Sequence, residues 1–183
     1  SKEFLFIFDH AYLLHDFLPS AEQTPAWELA NKFDAQDQTA IFCSFSKVTF
    51  GGGGLSFAAA GTKLFDLLSK QRASMIVCSD KVNQLRHLGF LKNKAEVENH
   101  MKKHADLVRP KFEAAFNALD AMSPEIGNYK KPTGGYFISF NASKPIAKRV
   151  IELCKEAGVL ITPAGSTYPH FNDPQDSNIR LAP

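Results

Sequence analysis

The sequence predicts an α/β fold, with part of a large three-layer α/β/α domain in residues 1–93 and a small α+β domain in residues 94–183. The first observation is the continuous apolar run Phe4–Phe8, whose aromatic and β-branched content is typical of a parallel strand covered on both faces. The second is a long helical pattern at residues 94–122, after which strands and one helix follow at short intervals. We therefore expect this helix to join the two domains.

Strand-like runs and capped helical segments alternate through the first predicted domain. Thr24 predicts the N-cap of a short helix that has Pro25 in its first turn and ends at Lys32. The further predicted elements are, in chain order, a strand at Thr39–Cys43, a strand at Leu55–Ala60, a helix capped by Thr62 and a helix that starts at Ser79–Asp80.

The helical pattern at residues 94–122 is the longest in the chain, with apolar residues three and four positions apart. Pro110 lies inside it and lacks the N–H that a helix interior needs, so we expect a kink or an interruption there. His100 and His104 stand one turn apart, which is metal-ligand spacing. Because the sequence offers no third ligand, we expect both on a solvated face and predict no metal site.

The second predicted domain continues with strands and a helix. They are a strand at Gly134–Phe140, an amphipathic helix from Pro145 to Ala157 ended by Gly158, a short strand at Val159–Ile161 and a final strand from Asn178. Residues 162–177, rich in Pro, Gly, Asn and Asp, predict a loop. Arg180 stands inside the final apolar strand. Two roles remain possible for Arg180: a surface ion pair, or a bidentate contact with the carboxylate of a ligand.

Composition excludes several classes of function. The chain of 183 residues has a net charge of +2 with scattered basic residues, which argues against nucleic acid and anionic membranes as partners. No apolar stretch approaches the roughly 20 residues of a membrane span. The three cysteines are far apart and form no CxxC pair, so we expect a reducing, cytoplasmic location.

A polar turn follows the strand at Thr39–Cys43 and contains Ser44, Ser46, Lys47 and the run Gly51–Gly54. Desolvation just beyond a buried strand favours the neutral amine of a lysine, which is a nucleophile that can form a Schiff base with an aldehyde. An exposed lysine in a flexible loop is the alternative. The glycine run is not a phosphate-binding P-loop, because no Gly-Lys-Ser/Thr follows it.

Asp9 and Tyr12 follow the strand Phe4–Phe8 at its carboxyl end, where open α/β sheets bind ligands. An acid and a phenol three residues apart can both turn into such a crevice. The alternative is that Asp9 caps the next segment and that Tyr12 packs at the edge of the core.

The order of these motifs resembles that of the fold-type I pyridoxal-phosphate-dependent aminotransferases, and most closely a bacterial aspartate aminotransferase subgroup. In that subgroup Thr-Phe and a glycine run come soon after the lysine, as in Lys47–Gly51. The resemblance covers nearly the whole chain. Its further matching stretches are Asp80–His87, Arg109–Phe112, Gly134–Ser139, Thr162–Gly165 and Asp173–Pro183.

The resemblance implies transamination between an amino acid, with aspartate preferred, and a 2-oxo acid such as 2-oxoglutarate, through a Schiff base of Lys47 with pyridoxal 5′-phosphate. The freed amine would then carry the proton. The resemblance further implies that Asp9 pairs with the pyridinium nitrogen and that Tyr12 hydrogen-bonds the ring oxygen of the cofactor. It also implies that Ser44 and Ser46 bind the phosphate. Arg180 would bind the substrate carboxylate. The resemblance also implies a homodimer.

The sequence departs from the family pattern at Leu55, where many members carry a phosphate-binding arginine. Compensation of the phosphate charge would then fall to Ser44 and Ser46, to backbone amides of Gly51–Gly54 or to elements not present. The family also has a segment before Asp9 that helps to bind the cofactor. We therefore expect the chain to be the C-terminal portion of a longer protein and to be inactive alone.

Two alternatives remain open at this point. One keeps the cofactor but breaks another bond at the α-carbon, giving a lyase or decarboxylase. The other is an aminotransferase-like domain that senses a ligand within a transcription regulator. A winged helix elsewhere in the full gene would favour the regulator.

Overall fold

The computed structural model describes residues 4–18 and 25–183. Within those residues the chain forms two compact units, one within residues 1–16 and 20–104, the other within residues 17–19 and 105–183. The N-cap predicted at Thr24 lies outside the described residues. The division falls inside a helix, whereas the predicted domain boundary at residue 94 coincides with the start of that helix and stays a prediction.

The first unit contains a sheet in the order β1-β2-β3, formed by β1 (Phe6–His10), β2 (Thr39–Ser44) and β3 (Ser56–Ala60). Strands β1 and β2 are parallel, with Asp9 opposite Phe42. Strands β2 and β3 are antiparallel. The parallel register sets the carboxyl ends of β1 and β2 side by side, which is where the sequence has its polar motifs.

The apolar run of β1 predicted a strand covered on both faces, and this prediction is wrong. Strand β1 begins two residues later than predicted, and Phe4, Leu5 and Ile7 are 55%, 59% and 67% exposed. The strand lies at the edge of the described sheet, with β2 beside it. The described elements therefore leave much of its apolar surface in contact with water.

Helices α1 (Ala26–Lys32), α2 (Thr62–Met75) and α3 (Lys81–Leu91) complete the regular elements before the long helix. The predicted start of α3 is confirmed, because Asp80 is its N-cap and accepts a hydrogen bond from the Asn83 amide at 3.0 Å. Helix α2, by contrast, has Gly61 and not Thr62 at its N-cap.

A kink or an interruption was expected at Pro110. Helix α4 (Lys94–Asp120) runs through Pro110 without interruption, so that alternative is wrong, and the kink stays a prediction. Proline removes one hydrogen bond to the preceding turn, but the next turns are anchored by apolar burial. Phe112 and Phe116 are 1% and 9% exposed, and they form the core of the second unit with Phe17, Ala105 and Ile138. This packing compensates for the missing donor.

The second unit contains an antiparallel sheet in the order β4-β5-β6, formed by β4 (Gly127–Tyr129), β5 (Ile138–Ala142) and β6 (Asn178–Leu181). Helix α5 (Ala147–Glu156) is followed by Gly158 at φ +84°, as the sequence predicted. The strand predicted at Val159–Ile161 is wrong, because this segment is irregular and Leu160 is 84% exposed. Among the described helices, none is long and apolar enough to cross a membrane.

Candidate active site

The carboxyl ends of β1 and β2 bring together the site residues predicted in the first half of the chain. Asp9 is the penultimate residue of β1, and Ser44 is the last residue of β2. Because these strands are parallel neighbours, the turns that leave them lie at the same edge of the sheet. Tyr12 belongs to the first turn, and Ser46 and Lys47 belong to the second.

Lys47 extends over the ring of Tyr12, with its Nζ 5.2 Å from the ring centroid. The face of a phenol ring attracts a cation at this distance, which favours one direction of a flexible side chain. The Lys47 side chain is otherwise exposed, so the described residues do not supply the desolvation expected from the sequence. The next residue, Val48, is only 4% exposed and anchors the turn in an apolar cluster.

Ser44 and Ser46 form a pair of hydroxyls, with their Oγ atoms 2.6 Å apart. The Ser44 Oγ also accepts the backbone N–H of Ser46 at 2.9 Å. The glycine run returns over this pair, since a Cβ at Gly54 would lie 2.5 Å from backbone atoms of Ser46. Only glycine fits there, and the result is a compact turn that carries two paired hydroxyl groups.

Helix α3 supports the glycine run from outside. The Asn83 Nδ2 donates to the carbonyl oxygen of Gly53 at 2.8 Å. Asn83 lies in the first turn of α3, which Asp80 caps. The stretch Asp80–His87, one of those that resemble the aminotransferase family, therefore contacts the turn that carries the lysine.

Asp9 is exposed and accepts the backbone N–H of Ala11 at 3.2 Å. This is the capping contact that the sequence left open as an alternative. It orders the turn towards Tyr12, whose half-buried ring lies edge-on to His15 at 5.5 Å. The carboxylate thus shapes the turn and also lies at the ligand-binding end of β1.

Histidines for which the sequence predicted no role contact the lysine turn. His100 was expected on a solvated face, which is wrong: it is half-buried, and its Nε2 lies 2.7 Å from the Val48 carbonyl oxygen. His104 is also half-buried, edge-on to His15 at 5.5 Å. In the part of the chain that the structure describes, no group of three or more His, Cys, Asp and Glu side chains could hold a metal ion.

Burial lowers the pKa of His15, although hydrogen bonds with the carbonyls of Lys47 and Tyr12 act in the opposite direction. Burial also lowers the pKa of His104, and the charges of His15 and His100 lower it further. These directions favour neutral imidazoles beside the lysine turn at neutral pH.

Arg180 lies in β6 of the second unit and is half-buried. Its guanidinium carbon is 4.6 Å from the centroid of the Phe137 ring, and its Nε and Nη2 are each 3.4 Å from the Thr162 Oγ1. None of the ion pairs found within residues 4–18 and 25–183 involves Arg180. The Phe137 ring and the Thr162 hydroxyl thus orient the planar guanidinium.

A polar network fixes the start of β6. Asp173 accepts backbone N–H groups from Asn178, Ser177 and Gln175 at 2.8, 2.8 and 2.9 Å, and these bonds hold the pKa of its carboxyl below the usual value. The Asn178 Nδ2 donates to Ser139 and Asn141 on β5 at 2.9 and 2.8 Å. The strand that carries Arg180 is therefore tied to its neighbour by side chains as well as by the sheet.

A family model described as aspartate amino-transferase matches residues 1–183. A relative from Mycolicibacterium smegmatis, whose aminotransferase name specifies no substrate, is 36% identical over 100% of this chain and 44% of its own length. An aspartate aminotransferase from Corynebacterium glutamicum is 34% identical over 100% of this chain and 43% of its own length. The chain therefore spans less than half the length of these curated relatives.

Solved structures give the same picture of the fold. The crystal structure of an aspartate transaminase from Corynebacterium glutamicum is 33% identical and superposes with a TM-score of 0.90, over 98% of this chain and 43% of that one. The chain thus has the mixed α/β fold of the pyridoxal-phosphate-dependent aminotransferases.

Proposed function

Because the chain belongs to the aspartate aminotransferase family, we propose that the protein transfers an amino group between an amino acid and a 2-oxo acid, using pyridoxal 5′-phosphate. Aspartate and 2-oxoglutarate are the proposed pair. One observation carries the proposal: the Lys47 Nζ over the Tyr12 ring, beside the end of β2 where the Ser44 and Ser46 hydroxyls meet. A homodimer and a cytoplasmic location remain predictions from the sequence.

The donor set of the first unit fits this cofactor. The paired hydroxyls of Ser44 and Ser46 suit phosphate oxygens, which accept hydrogen bonds. An amine at Lys47 suits the aldehyde, and a carboxylate at Asp9 suits a protonated ring nitrogen. Leu55 offers no charge, so compensation of the phosphate charge would fall to the hydroxyls, to backbone N–H groups of Gly51–Gly54 or to elements not present.

When bound, pyridoxal phosphate supplies a ring that withdraws electrons from the substrate α-carbon. The residues of this chain would do the rest. The Lys47 Nζ would accept the proton from the α-carbon, and the Tyr12 ring beneath it would restrict the path of the amine. Asp9 would keep the ring nitrogen protonated, and Arg180 would bind the substrate carboxylate through two N–H groups.

We expect borohydride reduction of the full-length protein loaded with cofactor to attach the cofactor covalently to the peptide that contains Lys47. The reason is that an amine bonded to the aldehyde becomes stable to hydrolysis once it is reduced. Peptide mapping by mass spectrometry gives the result. Lys47→Ala should abolish the label and turnover while it leaves the fold intact, with an unchanged melting temperature of the cofactor-free protein. Label on Lys63 or Lys81 would refute the assignment of Lys47.

An absorption spectrum before and after addition of aspartate separates the possible functions. Conversion of the bound cofactor to its amine form, with oxaloacetate released, supports transamination. Carbon dioxide or another product of bond cleavage would favour the lyase or decarboxylase. A spectrum that shifts on binding without any product would favour the ligand-sensing domain of a regulator.

A further inference from the structure

Imidazoles from separate elements reach consecutive residues of the turn that carries Lys47. The His15 Nε2, from the segment after β1, lies 3.1 Å from the Lys47 carbonyl oxygen. The Nε2 of His100 on α4 lies 2.7 Å from the carbonyl oxygen of Val48, and the Nε2 of His87 on α3 lies 2.9 Å from the Thr49 Oγ1. We call His15, His87 and His100 the imidazole belt.

We propose that the imidazole belt positions Lys47 for its chemistry, each histidine acting as a positioning residue by holding one residue of Lys47–Thr49. This inference rests on the proposed function of Lys47. A lysine amine sits on a flexible four-carbon stem, and Lys47 is an exposed residue. Precision at the amine therefore depends on the backbone beneath it as well as on the Tyr12 ring, because a small displacement of a reacting group lowers the rate strongly.

Hydrogen bonding to carbonyls explains how these histidines can be buried. His15 and His87 are each 4% exposed, and a buried imidazole costs free energy unless its N–H groups find acceptors. A backbone carbonyl that is buried in a turn likewise costs free energy unless it accepts a hydrogen bond. Burial lowers the pKa of His15, and a neutral imidazole still donates from Nε2 to the carbonyl of Lys47. Donor and acceptor thus satisfy one another at neutral pH.

The two arms of the turn are linked through α3. The His87 Nδ1 donates to the carbonyl oxygen of Asn83 at 2.9 Å, while the Asn83 side chain donates to the carbonyl oxygen of Gly53 at 2.8 Å. One turn of α3 therefore holds Thr49 before the glycine run and Gly53 within it. The buried Val48 side chain packs in one cluster with Leu91 and Met101. Loss of one imidazole should loosen the backbone at Lys47 without unfolding the unit.

The test compares His100→Leu with His100→Gln in the full-length protein. Leucine removes the donor to Val48, whereas glutamine can offer an amide N–H near the position of Nε2. Lys103→Leu, at an exposed position of the same helix, is the matched control. His15→Leu and His15→Gln repeat the comparison at a second position of the belt, in case one pair fails to fold. Melting temperatures identify any variant that does not fold.

Hydrogen exchange of the peptide Ser44–Phe50 in the cofactor-free protein is the first readout and does not depend on activity. We expect roughly tenfold faster exchange in His100→Leu, and near wild-type exchange in His100→Gln and Lys103→Leu. The second readout is the rate at which pyridoxal phosphate becomes bonded to Lys47, followed by absorbance. We expect about a tenfold decrease in His100→Leu with recovery in His100→Gln, and a fall in kcat with little change in KM.

The possible results separate the two proposals. Faster exchange with an unchanged rate of bonding at Lys47, or no recovery in His100→Gln, would overturn the positioning role. Unchanged exchange in both leucine variants would also overturn it. If borohydride never labels Lys47 in the wild type, the proposed function fails, and the exchange data still report whether the belt holds the turn.

Discussion

At the scale of single residues, Arg180 is the predicted substrate ligand whose surroundings are best defined. Its guanidinium lies over the Phe137 ring, and the Thr162 hydroxyl lies near two of its nitrogens. A planar fork held in this way can form two parallel hydrogen bonds with a carboxylate, whereas a lysine offers a point charge. Charge alone therefore does not explain what an arginine contributes at this position.

Arg180→Lys should raise KM for both the amino acid and the oxo acid, and it should lower kcat/KM by about 1–3 kcal/mol in transition-state free energy. Steady-state kinetics with the full-length protein give both parameters. Arg149→Lys on α5 is the matched control, because Arg149 is 60% exposed and pairs with Glu152 on the surface. A KM unchanged by Arg180→Lys would contradict the clamp.

At the scale of elements, the glycine run determines how closely the chain returns to the Ser44–Lys47 turn. A methyl group at Gly54 would overlap backbone atoms of Ser46, which cannot move as easily as a side-chain tip. Gly51 meets nothing within 4 Å, and its φ is not positive. The two glycines therefore have different roles although they lie in one run of identical residues.

Gly54→Ala should destabilise the full-length protein by roughly 1–3 kcal/mol and weaken binding of pyridoxal phosphate, because the serine pair must shift. Gly51→Ala should change the free energy of unfolding by less than about 0.5 kcal/mol. Denaturant unfolding and a cofactor titration measure the two effects. Equal stability of the two variants would show that the close approach at Ser46 is not needed.

At the scale of the whole molecule, the first unit exposes apolar surface while the second has a well-buried core. Phe4, Leu5 and Ile7 on and before β1 are more than half exposed, whereas Phe112 and Ile138 are 1% and 0% exposed. The curated relatives are more than twice as long as this chain. An exposed strand edge with apolar side chains is prone to association.

Residues 1–183 expressed alone should bind a hydrophobic dye, associate in solution and show no transamination. The reasons are the exposed apolar side chains at β1 and the span of less than half the length of the curated relatives. Dye fluorescence, sedimentation and an oxaloacetate assay measure these properties, and the full-length protein is the control. A stable monomer of residues 1–183 that binds pyridoxal phosphate tightly and converts aspartate would contradict this prediction.

Periodicity and position along the chain determined much of what was predicted from the sequence. Apolar runs predicted β1, β2 and β3, because a short run of apolar residues is a feature of the local sequence. The predicted site residues of the first unit follow strands directly, so parallel pairing alone brings their turns to one edge. Motif order indicated the family, which the family model confirms. The roles of the individual site residues remain predictions.

Only the tertiary structure decided which residues hydrogen-bond to the lysine turn. It also decided which elements form although a local sequence signal predicts a break. His15, His87 and His100 lie 32, 38 and 52 residues from their partners in the turn. Two of those partners are backbone carbonyls, which every residue type has, so no sequence pattern identifies them. In the same way, Pro110 is a local signal for a break, and burial of Phe112 and Phe116 outweighs it. Contacts between distant residues depend on how the chain packs, and local periodicity does not encode that.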